Sequence, residues 1–205
     1  MSKELIKRIL SSIILIPLAL YFILAGSFYF IFFTIICFLV ASYEWHKMTK
    51  KMNYKLLGLI FLIFSFFTFY ESLTDYYTGI FVLLICVATD VGGYIFGKIF
   101  KGPKLTKISP NKTYSGAIGS IFLSLIIFSS SIFYYTENFN IKILTVAVLT
   151  SISCQIGDLI FSFLKRKVKV KDTGNILPGH GGILDRLDGI FFGIPVGFIL
   201  IILIF

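Results

Sequence analysis

The chain alternates between long apolar stretches and short polar segments. Apolar runs of this kind, with few charges, are typical of helices that cross a bilayer. The second apolar run, Phe28–Ala41, is short and could extend toward Tyr43. The pattern predicts an all-α fold, a polytopic integral membrane helical bundle of about seven transmembrane helices. The predicted spans are Ile9–Ala25, Phe28–Ala41, Leu56–Tyr70, Gly79–Gly97, Gly116–Tyr135, Ile143–Leu164 and Gly189–Phe205.

Composition independently favours a membrane protein over a soluble domain. Hydrophobic residues make up 57% of the chain, charged residues make up 14%, and the mean hydropathy is +0.93. The first span follows basic residues as a signal peptide does, but Pro17 and the bulky residues after it favour a retained helix. Cys37, Cys86 and Cys154 lie in apolar runs without the spacing of a metal site, so we interpret them as small residues that are either in the core or lipid-facing.

The positive charges indicate how the chain is oriented in the membrane. The N-terminus and the loops near 42–55, 98–115 and 165–188 carry 18 of the 19 Lys and Arg residues, all except Lys142. Because cytoplasmic loops are enriched in Lys and Arg, we expect these segments to face the cytoplasm of a cell (inner or plasma) membrane. With the net charge of +9 placed at the ends of apolar segments, anionic lipid headgroups are the expected partners. No nucleic-acid partner is expected.

Two acidic residues lie within or at the edge of predicted spans. Asp90 stands in the middle of the fourth span and Asp158 in the sixth. A carboxylate in a bilayer is costly and usually functional, although a polar packing contact or a lysine partner would also explain it. Gly92, Gly93 and Gly97 allow a close helix approach near Asp90, as either a packing seam or a cavity wall.

The polar segment Ser162–Asp188 is unusual for a membrane protein. Its cations are suited to binding phosphates, and its aspartates are hard oxygen ligands suited to Mg²⁺. A glycine-rich turn, residues 178–182, lets the backbone approach a ligand closely. These features predict metal-assisted chemistry on a phosphate compound. The charged residues are Lys165, Arg166, Lys167, Lys169, Lys171, Asp172, Asp185, Arg186 and Asp188.

The same segment resembles the signature of the phosphatidate cytidylyltransferases, or CDP-diacylglycerol synthases. The resemblance rests on Ser162, Lys165-Arg166, Lys171-Asp172, Pro178-Gly179-His180-Gly181-Gly182, Asp185-Arg186 and Asp188. Further blocks agree with it: Thr89-Asp90, Gly93-Tyr94, Gly97-Lys98, Ser109-Pro110, Lys112-Thr113, Gly116 and Gly157-Asp158. The resemblance covers roughly residues 85 to 190, whereas the N-terminal third matches only in hydrophobicity, apart from Glu44-Trp45.

The resemblance implies an enzyme that uses CTP and phosphatidate, with Mg²⁺ as the divalent cation. The expected catalytic residues are Asp158, Asp185 and His180. Asp158 and Asp185 are also the expected metal ligands, and Asp188 and Asp90 are further ligand candidates. The expected substrate-binding residues are Lys112, Thr113, Lys165, Arg166, Lys171 and Arg186. Residues 1–78 then form N-terminal transmembrane helices, and residues 79–205 form the catalytic transmembrane region with a cytoplasmic signature loop at 162–188.

Several alternatives stay open at the level of sequence. Lys167 and Lys169 fall outside the motif and suit an ordinary basic flank. Thr113 could simply cap a helix. Ser115 stands where the family pattern leads us to expect Glu or Gln. The N-terminal part is shorter than in typical members, so the number of helices and the presence of a homodimer stay open. A related CTP-dependent lipid kinase and a non-catalytic lipid transporter are the competing functions.

Overall fold

The computed structural model describes residues 13–14, 17–25, 27–50, 52–72, 76–137, 141–177, 179 and 181–204. Within these ranges the chain forms helices joined by loops and contains no named strand, which confirms the all-α class. Residues 17–25 are helical. The helices that follow are α1 (Ser27–Met48), α2 (Lys55–Ser72), α3 (Tyr76–Phe100), α4 (Tyr114–Thr136), α5 (Ile141–Lys167), α6 (Leu184–Leu187) and α7 (Ile190–Ile204).

Five of the described helices are long and apolar enough to cross a membrane, so the chain is a multi-pass membrane protein. They are Phe28–Met48, Lys55–Ser72, Tyr77–Phe100, Tyr114–Tyr135 and Ile141–Lys167, which correspond to the second to sixth predicted spans. Helix α7 is apolar but only 15 residues long. The predicted first span lies partly outside the described residues. Five spans are therefore confirmed, and the count of about seven is not.

Helix α1 continues beyond the predicted end of its span at Ala41. Trp45 and Met48 are buried, and so is the carboxylate of Glu44, which is 1% exposed. Hydropathy ends the span early because Glu44, His46 and Lys47 are polar. The helix persists because its last two turns bury side chains within their own unit.

The described residues form two compact units. The first comprises the described parts of Met1–Phe66 together with Lys165–Leu187, and the second comprises Phe67–Leu164 with Asp188–Phe205. In the first unit the indole of Trp45 lies where a side chain at Gly58 would otherwise be, and its Nε1 donates to the carbonyl of Lys55 at 2.9 Å. This contact joins the end of α1 to the start of α2.

In the second unit, α3 packs against α4 and α7. One buried cluster contains Phe81, Ile85, Phe128, Ile143, Val146 and Ala147. Another contains Val82, Cys86, Cys154 and Ile194. The thiols of Cys86 and Cys154 are 3.3 Å apart, and a side chain at Gly193 would collide with both sulfur atoms. Of the two alternatives for the cysteines, the structure shows the core for Cys86 and Cys154.

The glycines of α3 form a close seam with α4. A Cβ at Gly92 would lie 2.7 Å from the carbonyl oxygen of Gly119, and one at Gly116 would lie 2.8 Å from the carbonyl oxygen of Gly93. Ser120 donates a hydrogen bond to the carbonyl of Thr89 at 2.6 Å across the same seam. Of the two alternatives for these glycines, the structure shows the packing seam.

Candidate active site

Many of the predicted site residues lie between the last turn of α5 and the end of α6. Within the predicted loop 162–188, we reserve the name signature loop for residues 165–187, and the described residues among them belong to the first unit. The loop folds around the carboxylate of Asp185, which is only 4% exposed. Its Oδ1 accepts from Lys165 Nζ at 2.9 Å, and its Oδ2 accepts from the backbone N–H groups of Thr173 at 2.8 Å and Gly182 at 3.0 Å. The hydroxyl of Thr173 lies 3.1 Å from the same Oδ2. Two predicted site residues, Lys165 and Asp185, are thus brought together as an ion pair.

The surroundings of Asp185 determine its charge state. Burial is the largest single influence and opposes ionisation. The hydrogen bonds from Lys165, Gly182 and Thr173, together with the positive charge of Lys165, outweigh it. The pKa of Asp185 is therefore held below its ordinary value, and the carboxylate is ionised at neutral pH.

A second carboxylate holds the signature loop, and sequence reasoning gave it no role. Glu44, near the end of α1, accepts from the backbone N–H groups of Ile183 at 3.2 Å and Leu184 at 2.9 Å, and from the hydroxyl of Thr173 at 3.1 Å. The signal that singled out Asp90 and Asp158, an acid within an apolar helix, applies equally to Glu44. It went unused because the predicted span ended at Ala41.

The predicted phosphate-binding cations differ in exposure. Lys165 is 11% exposed and paired with Asp185, whereas the side chains of Arg166, Lys171 and Arg186 are exposed. Arg166 donates from Nη1 to the carbonyl of Val170 at 3.1 Å, which holds it against the turn that follows α5. Three of the four predicted phosphate-binding cations in this segment are therefore within reach of a polyanion, whereas the fourth, Lys165, supports the structure of the loop.

Lys167, which falls outside the motif, lies over an aromatic ring. Its Nζ is 5.0 Å from the centroid of the Tyr54 ring, within the range of a cation–π contact. This agrees with the interpretation of Lys167 as part of a basic flank.

The second unit contains the other predicted pair. Lys112 Nζ lies 2.5 Å from Asp158 Oδ2, with the two side chains 24% and 34% exposed. The hydroxyl of Ser162 is 3.5 Å from Asp158 Oδ1. Lys112 is carried by the loop before α4, where its carbonyl accepts from Leu105 N–H and its own N–H donates to Ser109. Asp158 thus has a lysine partner, the alternative role considered for it.

Thr113 is the N-cap of α4. Its side-chain oxygen accepts from the backbone N–H of Gly116 at 3.1 Å, and its backbone is extended. The hydroxyl of Ser115, where the family pattern suggests an acidic or amide side chain, is hydrogen-bonded to the carbonyl of Lys101. Thr113 therefore has the capping role, and phosphate binding by this residue stays a prediction.

The remaining candidate site residues are Asp188, Asp90 and His180. Asp188 accepts from the N–H of Gly189 at 2.9 Å, and its backbone carbonyl packs against Gly157, the neighbour of Asp158. Asp90 is exposed on α3. His180 lies outside the described residues.

Comparison with known proteins shows to which family the chain belongs. A sequence model of the cytidylyltransferase family matches residues 6–81 and 56–204. The chain belongs to the cytidylyltransferase family. It is 38% identical to the phosphatidate cytidylyltransferase of Rickettsia felis over 96% of this chain and 92% of that protein. It is 36% identical to that of Rickettsia prowazekii, over 93% of this chain and 89% of that protein.

The phosphatidate cytidylyltransferase of Staphylococcus aureus (strain COL) is 42% identical over 150 residues, which are 72% of this chain and 58% of that protein. The chain thus spans little more than half the length of the Staphylococcus relative that it matches. Its match to the Rickettsia relatives is close to full length.

For this cytidylyltransferase the fit to a metal ion differs between the predicted ligands. The described ranges, which leave out His180, contain no group of three or more His, Cys, Asp or Glu side chains that could hold a metal ion. Both oxygens of Asp185 already accept hydrogen bonds. Asp158 is more exposed and has one ammonium partner. Because Mg²⁺ is commonly held by one or two carboxylates plus substrate phosphates, Asp158 fits such a site better than Asp185 does.

Proposed function

We propose that this cytidylyltransferase is a phosphatidate cytidylyltransferase, which joins CTP and phosphatidate to form CDP-diacylglycerol and releases pyrophosphate. The observation that carries the proposal is the nearly full-length match to two relatives of that name. The exposed cations of the signature loop support it, because both substrates are polyanions and need positive charge to meet.

The reaction needs few protein groups. An oxygen of the phosphatidate phosphate attacks the α-phosphorus of CTP and forms a new P–O bond. The bond from the α-phosphorus to the bridging oxygen of the β-phosphate breaks, and its electron pair leaves with pyrophosphate. The attacking phosphate is already ionised, so no strong general base is required. Catalysis consists of positioning the two substrates and stabilising the charge that develops.

The chain's own residues supply that positioning. We propose that Arg166, Lys171 and Arg186, exposed on the signature loop, bind phosphates of CTP and phosphatidate. Lys165 supports the loop by pairing with Asp185, and we expect it to contact a phosphate only if that pair opens. In the second unit, Lys112 is available to a substrate phosphate when it leaves Asp158.

A divalent cation, Mg²⁺ in this proposal, would neutralise the negative charge that develops on the leaving group. Asp158 is the described residue best suited to hold it. Asp188, beside Gly157 in the same unit, is the next candidate, while Asp185 and Asp90 remain weaker proposals for ligands. His180 stays a proposed contact of the phosphates.

We also propose that the signature loop faces the cytoplasm, where CTP is found. This rests on the Lys and Arg asymmetry of the loops. The lipid substrate would enter from the leaflet on the same side. A homodimer stays a prediction.

The position of a radioactive label in the product tests the proposal. Purified protein is incubated with Mg²⁺, with CTP that is labelled at either the α- or the γ-phosphorus, and, in separate reactions, with phosphatidate or with a lipid alcohol as the acceptor. Cytidylyl transfer moves the α label into the lipid and releases the γ label as pyrophosphate. Appearance of the γ label in a lipid, with release of CDP, would identify a CTP-dependent lipid kinase instead. No transfer of either label would favour a non-catalytic lipid-binding protein.

A further inference from the structure

We propose that Glu44 is a positioning residue for the signature loop. Through three hydrogen bonds it sets the backbone conformation in which the loop presents Arg186 and holds Asp185. The consequence for catalysis rests on the proposed function, whereas the effect on the conformation of the loop does not.

The first support is the completeness of the hydrogen bonding. Glu44 Oε1 accepts from Ile183 N–H, and Oε2 accepts from Leu184 N–H and from the hydroxyl of Thr173. Glu44 is 1% exposed, so water contributes little to satisfying its charge. A buried carboxylate that lacked such donors would strongly destabilise the fold. Conversely, removal of the Glu44 carboxylate would leave the N–H groups of Ile183 and Leu184 without their acceptor.

The second support is steric. A Cβ at Gly174 would lie 2.5 Å from Glu44 Oε1, and a Cβ at Gly182 would collide with the carboxylate and with the hydroxyl of Thr173. The loop backbone therefore approaches the Glu44 side chain from two sides, and only glycine permits both approaches. The motif glycine Gly182 is explained by this contact with Glu44.

The third support is the connection to the predicted site residues. Ile183 and Leu184 directly precede Asp185 and Arg186, and Leu184 opens α6. The hydroxyl of Thr173 lies 3.1 Å from carboxylate oxygens of both Glu44 and Asp185. Glu44 thus acts on Asp185 through Thr173 and on Arg186 through the backbone of α6.

The sharpest test is Glu44→Gln, which keeps the shape of the side chain. A glutamine has one acceptor oxygen and a donor NH₂, so one of the two loop N–H groups would face a donor. We expect faster hydrogen exchange at Ile183 and Leu184 than in the wild type, with exchange in α3 and α4 unchanged. Glu137→Gln is the control, because it makes the same chemical change at an exposed position in the second unit.

Kinetics separate positioning from simple destabilisation. We expect Glu44→Gln to lower kcat/KM for CTP by about tenfold or more, while the thermal unfolding of the membrane helices stays close to that of the wild type. If Glu44→Gln does not fold, Thr173→Val serves instead, with Thr173→Ser as the variant that restores the hydroxyl. Activity lost in the valine variant and regained in the serine variant supports the proposal.

Unchanged exchange at Ile183 and Leu184 in Glu44→Gln would overturn the proposal, as would faster exchange with wild-type kinetics. For the valine variant, the contrary result is wild-type activity. If the wild-type protein transfers no cytidylyl group but Glu44→Gln still speeds hydrogen exchange at Ile183 and Leu184, the proposed function fails and the structural role of Glu44 stands.

Discussion

At the scale of single residues, the two acids with the strongest expected roles have different surroundings. Asp185 is buried among hydrogen-bond donors, whereas Asp158 is one-third exposed and paired with Lys112. We predict that Asp158→Asn and Asp185→Asn each abolish turnover while the protein still inserts and folds. Loss of a ligand for a hard cation should cost orders of magnitude in rate. Loss of the Asp185 carboxylate removes the ion pair with Lys165.

The measurement for both variants is turnover across a magnesium titration, with insertion and folding checked in parallel. A metal role predicts that residual activity in Asp158→Asn rises with magnesium concentration. A purely structural role for Asp185 predicts a loss that magnesium does not restore. Near-normal activity in either variant would remove that residue from the site.

The lowered pKa of Asp185 leads to a prediction about pH. A carboxyl group whose pKa is lower in the folded state stabilises the folded form above its unfolded pKa of about 3.9, and this contribution is lost as pH falls through the folded pKa. We therefore expect hydrogen exchange at the amides of Thr173 and Gly182, corrected for intrinsic rates, to stay slow at neutral pH and to rise only below about pH 4. Asp185→Asn should show fast exchange already at neutral pH. A rise in the wild type near neutral pH would contradict the ionised state of Asp185.

Among the cations, Arg186 and Lys167 provide a matched comparison, since both are exposed on the signature loop. Arginine offers a planar fork of donors and lysine a single charged group, so exchange should matter wherever a phosphate is clamped. We predict a loss of about tenfold in kcat/KM for Arg186→Lys, on the order of 1.4 kcal/mol. Lys167→Ala, which removes a contact with the Tyr54 ring, should lose much less.

Initial rates at several CTP concentrations would measure both variants. If Lys167→Ala proves as damaging as Arg186→Lys, the loop acts through its total charge, and the assignment of individual cations is wrong.

At the scale of secondary-structure elements, the seam between α3 and α4 supports the second unit. Gly92 faces the backbone of α4, which cannot move aside as a flexible side chain would. We predict that Gly92→Ala destabilises the folded protein by about 1–3 kcal/mol, as overpacking does in other cores. Thermal unfolding in detergent measures the effect.

Val91→Ala is the control for this variant, because Val91 is adjacent in α3 and 43% exposed. It should change the unfolding temperature little. Equal effects of Val91→Ala and Gly92→Ala would show that the close contact in the seam is not the cause.

At the scale of the whole molecule, the charge asymmetry predicts the orientation in the membrane. We expect Lys104 and Lys169 to face the cytoplasm, and we expect Glu137 and Asp75, which lies outside the described residues, to face the opposite side. Single cysteines at these positions, in a variant that lacks Cys37, Cys86 and Cys154, can be labelled with a thiol reagent that does not cross membranes. Labelling of position 169 from outside intact cells would overturn the orientation and the access of CTP to the signature loop.

Much of the fold follows from the sequence alone, because the free energy of placing a helix in a bilayer depends on local composition. The second to sixth spans, the all-α class and the close approach at Gly92 and Gly93 are set by runs and spacings along the chain. The signature residues identify the family for the same reason, since they are close together in sequence. The bounds of α1 were the exception: a buried, satisfied acid cannot be distinguished from a loop acid by hydropathy.

Only the tertiary structure decided which charged groups meet. Glu44 contacts Leu184 although the two residues are 140 positions apart in the sequence. Lys112 pairs with Asp158 although the whole of α4 lies between them in the sequence. Residue type predicts that a buried carboxylate needs donors, but not which donors it finds, because that depends on how the helices are arranged. Sequence therefore established the class of chemistry and its candidate residues. The structure separated the acids that hold the signature loop, Glu44 and Asp185, from Asp158, which is more exposed and is paired with Lys112.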